Sequence, residues 1–224
     1  DFLLMAQVRP HQFLRLKGLV TKYDPQSGRI VVFVSHQWCG STCSDPKFLQ
    51  LRVLQGMFQR ASAGKVRVDP DVVSKISYGM KASLRREDLA GVRSWLMWYD
   101  YFSVPQPAAE EGDHGAYDDL ETGLGKAVAS LSAYIQACTH FIVLAPTLRH
   151  ENGNIIDFGS WKTRGWCRFE GLSRALCHSN ARMLLVKRES MVNEVGALDF
   201  IFDPVGAGEF SLESDRARLA PVVR

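Results

Sequence analysis

Four short apolar runs stand out along an otherwise polar chain: "RIVVFV" at 29–34, "WLMWYD" at 95–100, "FIVLAP" at 141–146 and "RMLLVK" at 182–187. Each is continuous, without the alternation of a strand that keeps one face in water. Short continuous runs are the pattern of strands buried on both faces of a sheet. The stretches between them carry a helical period. Ser44, Asp45 and Pro46 offer an N-cap and a first-turn proline, after which Phe48, Leu51, Leu54 and Phe58 recur at helical spacing. "KAVASLSAYIQAC" sets Val128, Leu131, Ile135 and Cys138 on one face, directly before the third run. A further helix starting near Trp166 carries Phe169, Leu172 and Leu176 on its inner stripe and leads into the fourth. Strand and helix alternating in this order predict an α/β fold: an open, mainly parallel sheet with helices on both faces and right-handed crossovers.

The same pattern assigns one domain with a core at about 29–188 and several additions. "GLVTKYDPQSGRIVVFV" predicts an N-terminal hairpin turning at 24–28, which would add an antiparallel edge strand. Residues 61–93 read as a polar insertion of short helices. Residues 103–125, with Pro105, Pro107 and the acids Glu110, Glu111, Asp113, Asp118, Asp119 and Glu121, read as a second insertion, either a solvated loop or a flap. Residues 189–224 form a C-terminal extension whose "FSLESDRARL" predicts a final helix.

In open parallel sheets, ligands bind outside the carboxyl ends of the strands. The first run ends in Ser35, His36, Gln37 and Trp38, and the second in Asp100, Tyr101 and Ser103. The third opens into a loop that closes with "SWKTRGWCRFE", holding Trp161, Lys162, Arg164, Trp166, Arg168 and Glu170. Three strand ends thus direct aromatic, hydroxyl and charged groups toward one rim. A structural role stands beside each of these: Trp38 and Trp166 can close the core at the sheet end, His36 can be a satisfied buried histidine, and Glu170 can pair with Arg174 one helical turn on.

Composition narrows the classes. A chain of 224 residues, 46% hydrophobic and 23% charged, is in the ordinary globular range. A net charge of +3, with its local basic excess at 60–93, does not call for a nucleic-acid partner. No apolar run approaches the ~20 residues of a membrane span, so no membrane insertion is expected. Cys39, Cys43, Cys138, Cys167 and Cys177 are odd in number and contain no Cys-x-x-Cys pair, which points to the cytoplasm or another reducing compartment. His36, Cys39 and Cys43 could be drawn as zinc ligands, but no fourth ligand follows at a sensible spacing, and no metal is expected. A glycine-rich phosphate loop is missing, which disfavours an ordinary dehydrogenase or nucleotide triphosphatase. A first residue of Asp1 instead of Met suggests a piece of a longer or processed chain.

"VFVSHQW", "WLMWYDYFSVPQ", "SLSAYIQACTHFIVLAP" and "RGWCRFE" resemble, in order and approximate spacing, the blocks of Toll/interleukin-1 receptor (TIR) domains and of the related fungal heterokaryon-incompatibility (HET) domains. The most specific is Trp166-Cys167-Arg168-Phe169-Glu170, which resembles the Trp-Cys-x-x-Glu of plant TIR domains. The resemblance implies a flavodoxin-like, TIR-like sheet. It also implies NAD⁺ as a substrate, with no separate cofactor, cleaved between nicotinamide and ribose. Glu170 would be the catalytic carboxylate, Trp38 or Trp166 would stack on a ring, Ser35 and Asp100 would bind ribose, His36 would line the same pocket, and Arg164 or Lys162 would face the pyrophosphate. Self-association or protein partners go with that family. The alternative is a non-catalytic interaction module of the same fold, because the loop through which TIR domains self-associate is replaced here by 103–125.

Overall fold

A computed structural model describes residues 2–79, 84–85, 87–106, 123–177, 183–196 and 198–220. Strands β1 (Val31–His36), β2 (Arg67–Asp69), β3 (Leu96–Tyr99), β4 (His140–Leu144), β7 (Met183–Arg188) and β8 (Met191–Val195) form one open sheet in the order β2-β8-β7-β4-β1-β3. A separate two-stranded ribbon, β5 (Leu148–Arg149) with β6 (Ile155–Ile156), stands beyond the end of β4.

All four predicted runs are strands of this sheet. They lie side by side as β3, β1, β4 and β7 and are parallel throughout, with Val31 opposite Leu96, Val32 opposite His140 and Phe141 opposite Met183. After β1 the chain visits the far edge as β2, comes back beside β1 as β3, and then crosses to the other side of β1 for β4. That reversal makes the carboxyl ends of β1 and β4 the topological switch point, where doubly wound sheets open a crevice.

β1 is buried at all six positions. Its alternation sends Val32 and Val34 to one core, formed with helices α1 (His11–Leu16) and α2 (Leu49–Ser62). Val31 and Phe33 point into the opposite core, packed by α6 (Leu131–Ala137) and α8 (Gly165–Ala175). Helices therefore cover both faces.

Several expectations are corrected. No hairpin precedes β1: the turn forms, with Asp24 accepting from the Gln26 N–H and Gly28 at φ 64°, but the residues before it make no strand. β3 and β4 already flank β1 on its two edges, which leaves no edge for a third partner. α2 starts at Leu49, later than Pro46 suggested; Phe48 takes φ 58° to turn the chain into it, and the Asp45 carboxylate accepts from the N–H groups of Leu49 and Leu51. Leu176 is not on the inner stripe of α8 but 72% exposed, beyond the helix end. The insertion at 61–93 contains a strand, β2, as well as the helix α3 (Val72–Tyr78). Most of 103–125 lies outside the described residues; at its ends are part of α4 (Asp100–Ser103) and the start of α5 (Gly123–Ala129). The final helix is present as α10 (Glu213–Leu219). Among the described residues no helix is long and apolar enough to cross a membrane.

Candidate functional site

The last two residues of β1 leave the strand on opposite faces, because successive strand side chains alternate. Ser35 faces α8 and α7 (Phe158–Thr163), and His36 faces α2 and β3. Each is the centre of a separate polar cluster, and the two clusters share one strand end.

On the first face the Ser35 hydroxyl donates to Glu170 Oε2 and accepts from Trp161 Nε1 at 3.1 Å. Trp161 is fully buried, so its indole N–H depends on this acceptor. It is delivered by α7, whose start is held by a reciprocal cap between Asp157 and Ser160. The Ser160 hydroxyl donates to Gln37 Oε1 at 2.7 Å, fastening α7 to the residue that follows β1. Glu170 comes from the middle of α8 and is half-buried. Burial and the nearby charge of Asp100 raise its pKa, against the Ser35 hydrogen bond and the charge of His36, to about 8. At neutral pH this carboxyl can hold a proton, as few glutamates do.

On the second face His36 lies between two partners, Gln50 Oε1 at 2.7 Å from Nδ1 and Asp100 Oδ1 at 2.8 Å from Nε2. Its ring stacks on Tyr99 with centroids 4.1 Å apart. The other oxygen of Asp100 accepts from the Trp38 indole N–H at 2.7 Å, and its Oδ1 also accepts from the main-chain N–H of Tyr101 at 2.6 Å. Burial works against the charge on His36, but Asp100, with Glu170 and Gln50, outweighs it and holds the imidazole above its ordinary range. Burial likewise works against the charge on Asp100, and the His36, Trp38 and Tyr101 contacts overcome it, so the carboxyl titrates below its usual value. Both ring nitrogens of His36 are committed, which removes it from any metal set with Cys39 and Cys43. All five cysteines are free thiols, and burial, aided by Asp45, Cys43 and Glu151, pushes Cys39 up to about 12.

Ser35, His36, Trp38, Asp100 and Glu170 therefore meet at the end of β1. The pairing of Glu170 with Arg174 does not form. Arg174 is 3% exposed and its guanidinium donates to the carbonyls of Cys138 and Thr139, each at 2.9 Å, and of Ile135 at 3.4 Å, tying α8 to the junction between α6 and β4. The remaining candidates lie elsewhere. Trp166 turns to α10, its indole N–H 2.9 Å from Asp215 Oδ2. The guanidinium of Arg164 donates to Ser211, and Lys162 is paired with Asp203 at 2.9 Å. These three serve to fix the C-terminal segment against the start of α8.

Gln50 is the contributor that the sequence reading left out, and Trp161, placed at the rim by that reading, was given no role in it. Gln50 had a signal: it precedes Leu54 by one turn on the buried stripe of α2, where a polar side chain needs a partner. At the switch point, a shallow recess of about 150 Å³ including its mouth is bounded by Gln37, Gln50, Pro146, Asp157 and Trp161. A second, of about 270 Å³ including its mouth, lies between the loop after β1 and the β5–β6 ribbon, beside Cys39, Lys47 and Glu151.

No family model matches the chain, and comparison with curated proteins and with solved structures likewise returned no match.

Proposed function

We propose that the chain is a nucleotide-processing enzyme of TIR/HET-like type, cleaving the nicotinamide–ribose bond of NAD⁺ with Glu170 at the reacting centre. The observation that supports this reading most is where Glu170 turns: into the strand end, against Ser35 and beside the His36–Asp100 pair, and away from Arg174. The resemblance of "RGWCRFE" to the glutamate block of TIR domains agrees with that placement.

The chemistry asks little of the protein. The bond from ribose C1′ to the nicotinamide nitrogen breaks with its electron pair leaving on nicotinamide, a neutral leaving group that needs no acid. The developing oxocarbenium charge is met by a carboxylate, and water adds at C1′, releasing one proton. A cationic nicotinamide ring near Glu170 would draw its raised pKa down and favour the carboxylate form at the moment it is needed. The half-buried Trp38, oriented through Asp100, would offer an aromatic face to a ring. Lys162 and Arg164 are engaged elsewhere, so the pyrophosphate contact first expected of them is withdrawn.

A second reading, a non-catalytic interaction module, is favoured by the size of the clefts. The enclosed space in them is only about 10 Å³ in one and about 0 Å³ in the other, and neither is lined by Glu170, against the roughly 300–1,000 Å³ of most small-molecule pockets. Nicotinamide release from NAD⁺ separates the readings, using the purified chain at high concentration and again clustered on beads, wild type beside Glu170→Ala, with folding checked by circular dichroism. Release by wild type alone is the expected result. Silence from both, even when clustered, would overturn the enzyme reading and leave the interaction module.

A further inference from the structure

The surroundings of His36 fix its protonation state. Gln50 Nε2 donates to the main-chain carbonyl of Gln37 at 3.1 Å, and a carbonyl oxygen only accepts. The amide of Gln50 is therefore held with Oε1 toward His36 Nδ1, 2.7 Å away, so Nδ1 must carry a proton. On the other side Nε2 faces Asp100 Oδ1 at 2.8 Å. Asp100 already accepts from two groups that can only donate, the Trp38 indole and the Tyr101 main-chain N–H, which is the pattern of an ionised carboxylate. Nε2 must carry a proton too. Either neutral tautomer would set a nitrogen lone pair against an oxygen lone pair at under 3 Å.

The other groups around the ring agree. The phenol face of Tyr99 lies against it, a favourable seat for a cation, and the Tyr99 hydroxyl, 3.3 Å from Nδ1, can share the same proton as an acceptor. Burial drives that phenol well above its usual pKa, so it remains neutral. The Cys167 thiol lies 3.8 Å from the main-chain carbonyl of His36, and burial keeps it protonated as well. The remaining titratable group that acts on the ring is Glu170, across the strand end, which favours the imidazolium when it is ionised.

We infer that His36 is an imidazolium at neutral pH and a positioning residue: it holds Asp100 ionised, and Asp100 in turn fixes the Trp38 indole at the rim of the site. With both nitrogens occupied by protons, it has no lone pair with which to act as a general base. Its value to a reaction at Glu170 rests on the function proposed above, whereas its protonation state and its hold on Trp38 do not.

The test is nuclear magnetic resonance of the ¹⁵N-labelled chain. At pH 7, above the ordinary imidazole value of about 6.5, both ring nitrogens of His36 are expected in the protonated range. A deprotonated nitrogen at either position overturns the inference. His36→Gln identifies the signals, and if that variant does not fold, sequential assignment of wild type does so without it. Exchange of the Trp38 indole proton is expected to accelerate about tenfold or more in Asp100→Asn, the equivalent of losing one charge-assisted hydrogen bond; an unchanged rate would overturn the positioning role. Wild type with a charged His36 and no NAD⁺ cleavage would sink the proposed function and leave this inference standing, and cleavage with a neutral His36 would do the reverse.

Discussion

One oxygen joins Trp161 to Glu170: the Ser35 hydroxyl accepts from the Trp161 indole N–H at 3.1 Å and donates to the Glu170 carboxyl. An indole nitrogen only donates, so the direction of the link from Trp161 to Ser35 is set by chemistry. Ser35→Ala breaks both links. It leaves a buried N–H without an acceptor, which costs about 1–3 kcal/mol, and it removes the one hydrogen bond that lowers the Glu170 pKa. Urea unfolding at pH 7 should show a loss in that range, and a change within the scatter of surface substitutions would contradict the assignment.

The raised pKa of Glu170 makes a statement about stability. The folded chain prefers the neutral acid, so the contribution is fully present below the ordinary value of 4.5 and is lost as the pH rises toward about 8. Glu170→Gln cannot ionise and should be spared that loss. Measured from about pH 5 to about pH 9, wild type is expected to fall relative to Glu170→Gln; linkage over the whole shift sets a ceiling of about 5 kcal/mol, and partial solvent contact brings the expected difference to roughly 1–3 kcal/mol. His36 titrates above its ordinary value and so also loses stability as pH rises, while Asp100, titrating below its own, loses it as pH falls. Both groups remain in the variant, so the difference between the two curves belongs to Glu170 and its coupling to them. Parallel curves would show that the carboxyl is not held neutral.

The runs of β1, β4 and β7 were legible because their central residues are buried on both faces, which leaves no polar position to break them; β3, half-buried at the sheet edge, was legible because Leu96, Met97 and Trp98 are apolar all the same. The antiparallel strand β8 was not. Arg188 and Met191 pair across a two-residue turn of Glu189 and Ser190, which lacks the Asn-Gly or Asp-Gly chemistry that marks a hairpin in sequence. The predicted hairpin before β1 failed the other way: its turn residues are real turn residues, but pairing depends on a free strand edge. At the site, the strand ends placed Ser35, His36, Trp38 and Asp100 together. The loop after the third strand brought Glu170 to the same rim and the resemblance of its block supplied its role, but only the packing of α8 distinguishes a glutamate turned to Ser35 from one paired to Arg174. Trp166 and Arg164 share the start of that helix, yet their polar groups serve the 209–215 segment, a long-range choice that local spacing does not record.

Arg174 offers a direct check on that choice. Its guanidinium satisfies three main-chain carbonyls at the end of α6, so Arg174→Ala should cost about 2–4 kcal/mol by leaving buried acceptors unpaired. Were Glu170 its partner, the double variant Glu170→Ala, Arg174→Ala would recover part of that loss. Separate partners predict that the two single effects add to within about 0.5 kcal/mol. A double-mutant cycle by chemical denaturation at pH 7 decides it, and a coupling above about 1 kcal/mol would restore the i,i+4 pair.

The start of α8, and with it the position of Glu170, depends on a close backbone approach between Gly165 and Gly208. The Gly165 N–H donates to the Glu209 carbonyl at 2.8 Å, and the Glu209 N–H donates to the Thr163 carbonyl at 2.7 Å. A Cβ on Gly208 would lie 2.5 Å from Gly165 Cα and 2.8 Å from its nitrogen, main-chain atoms that cannot swing aside. A Cβ on Gly165 would instead meet the ring of Phe210, a half-buried side chain at the edge of the fold that can move. Gly208→Ala should therefore be the more damaging of the two, by about 1–3 kcal/mol in the manner of an overpacked core. It should also shift the resonances of Ser35 and Glu170, because parting the two segments tilts the helix that carries the carboxylate. Equal thermal stability of the two variants, or an unmoved Ser35 in Gly208→Ala, would mean that α8 is positioned by its core face alone, with Phe169 and Trp161 sufficient to aim Glu170 at the strand end.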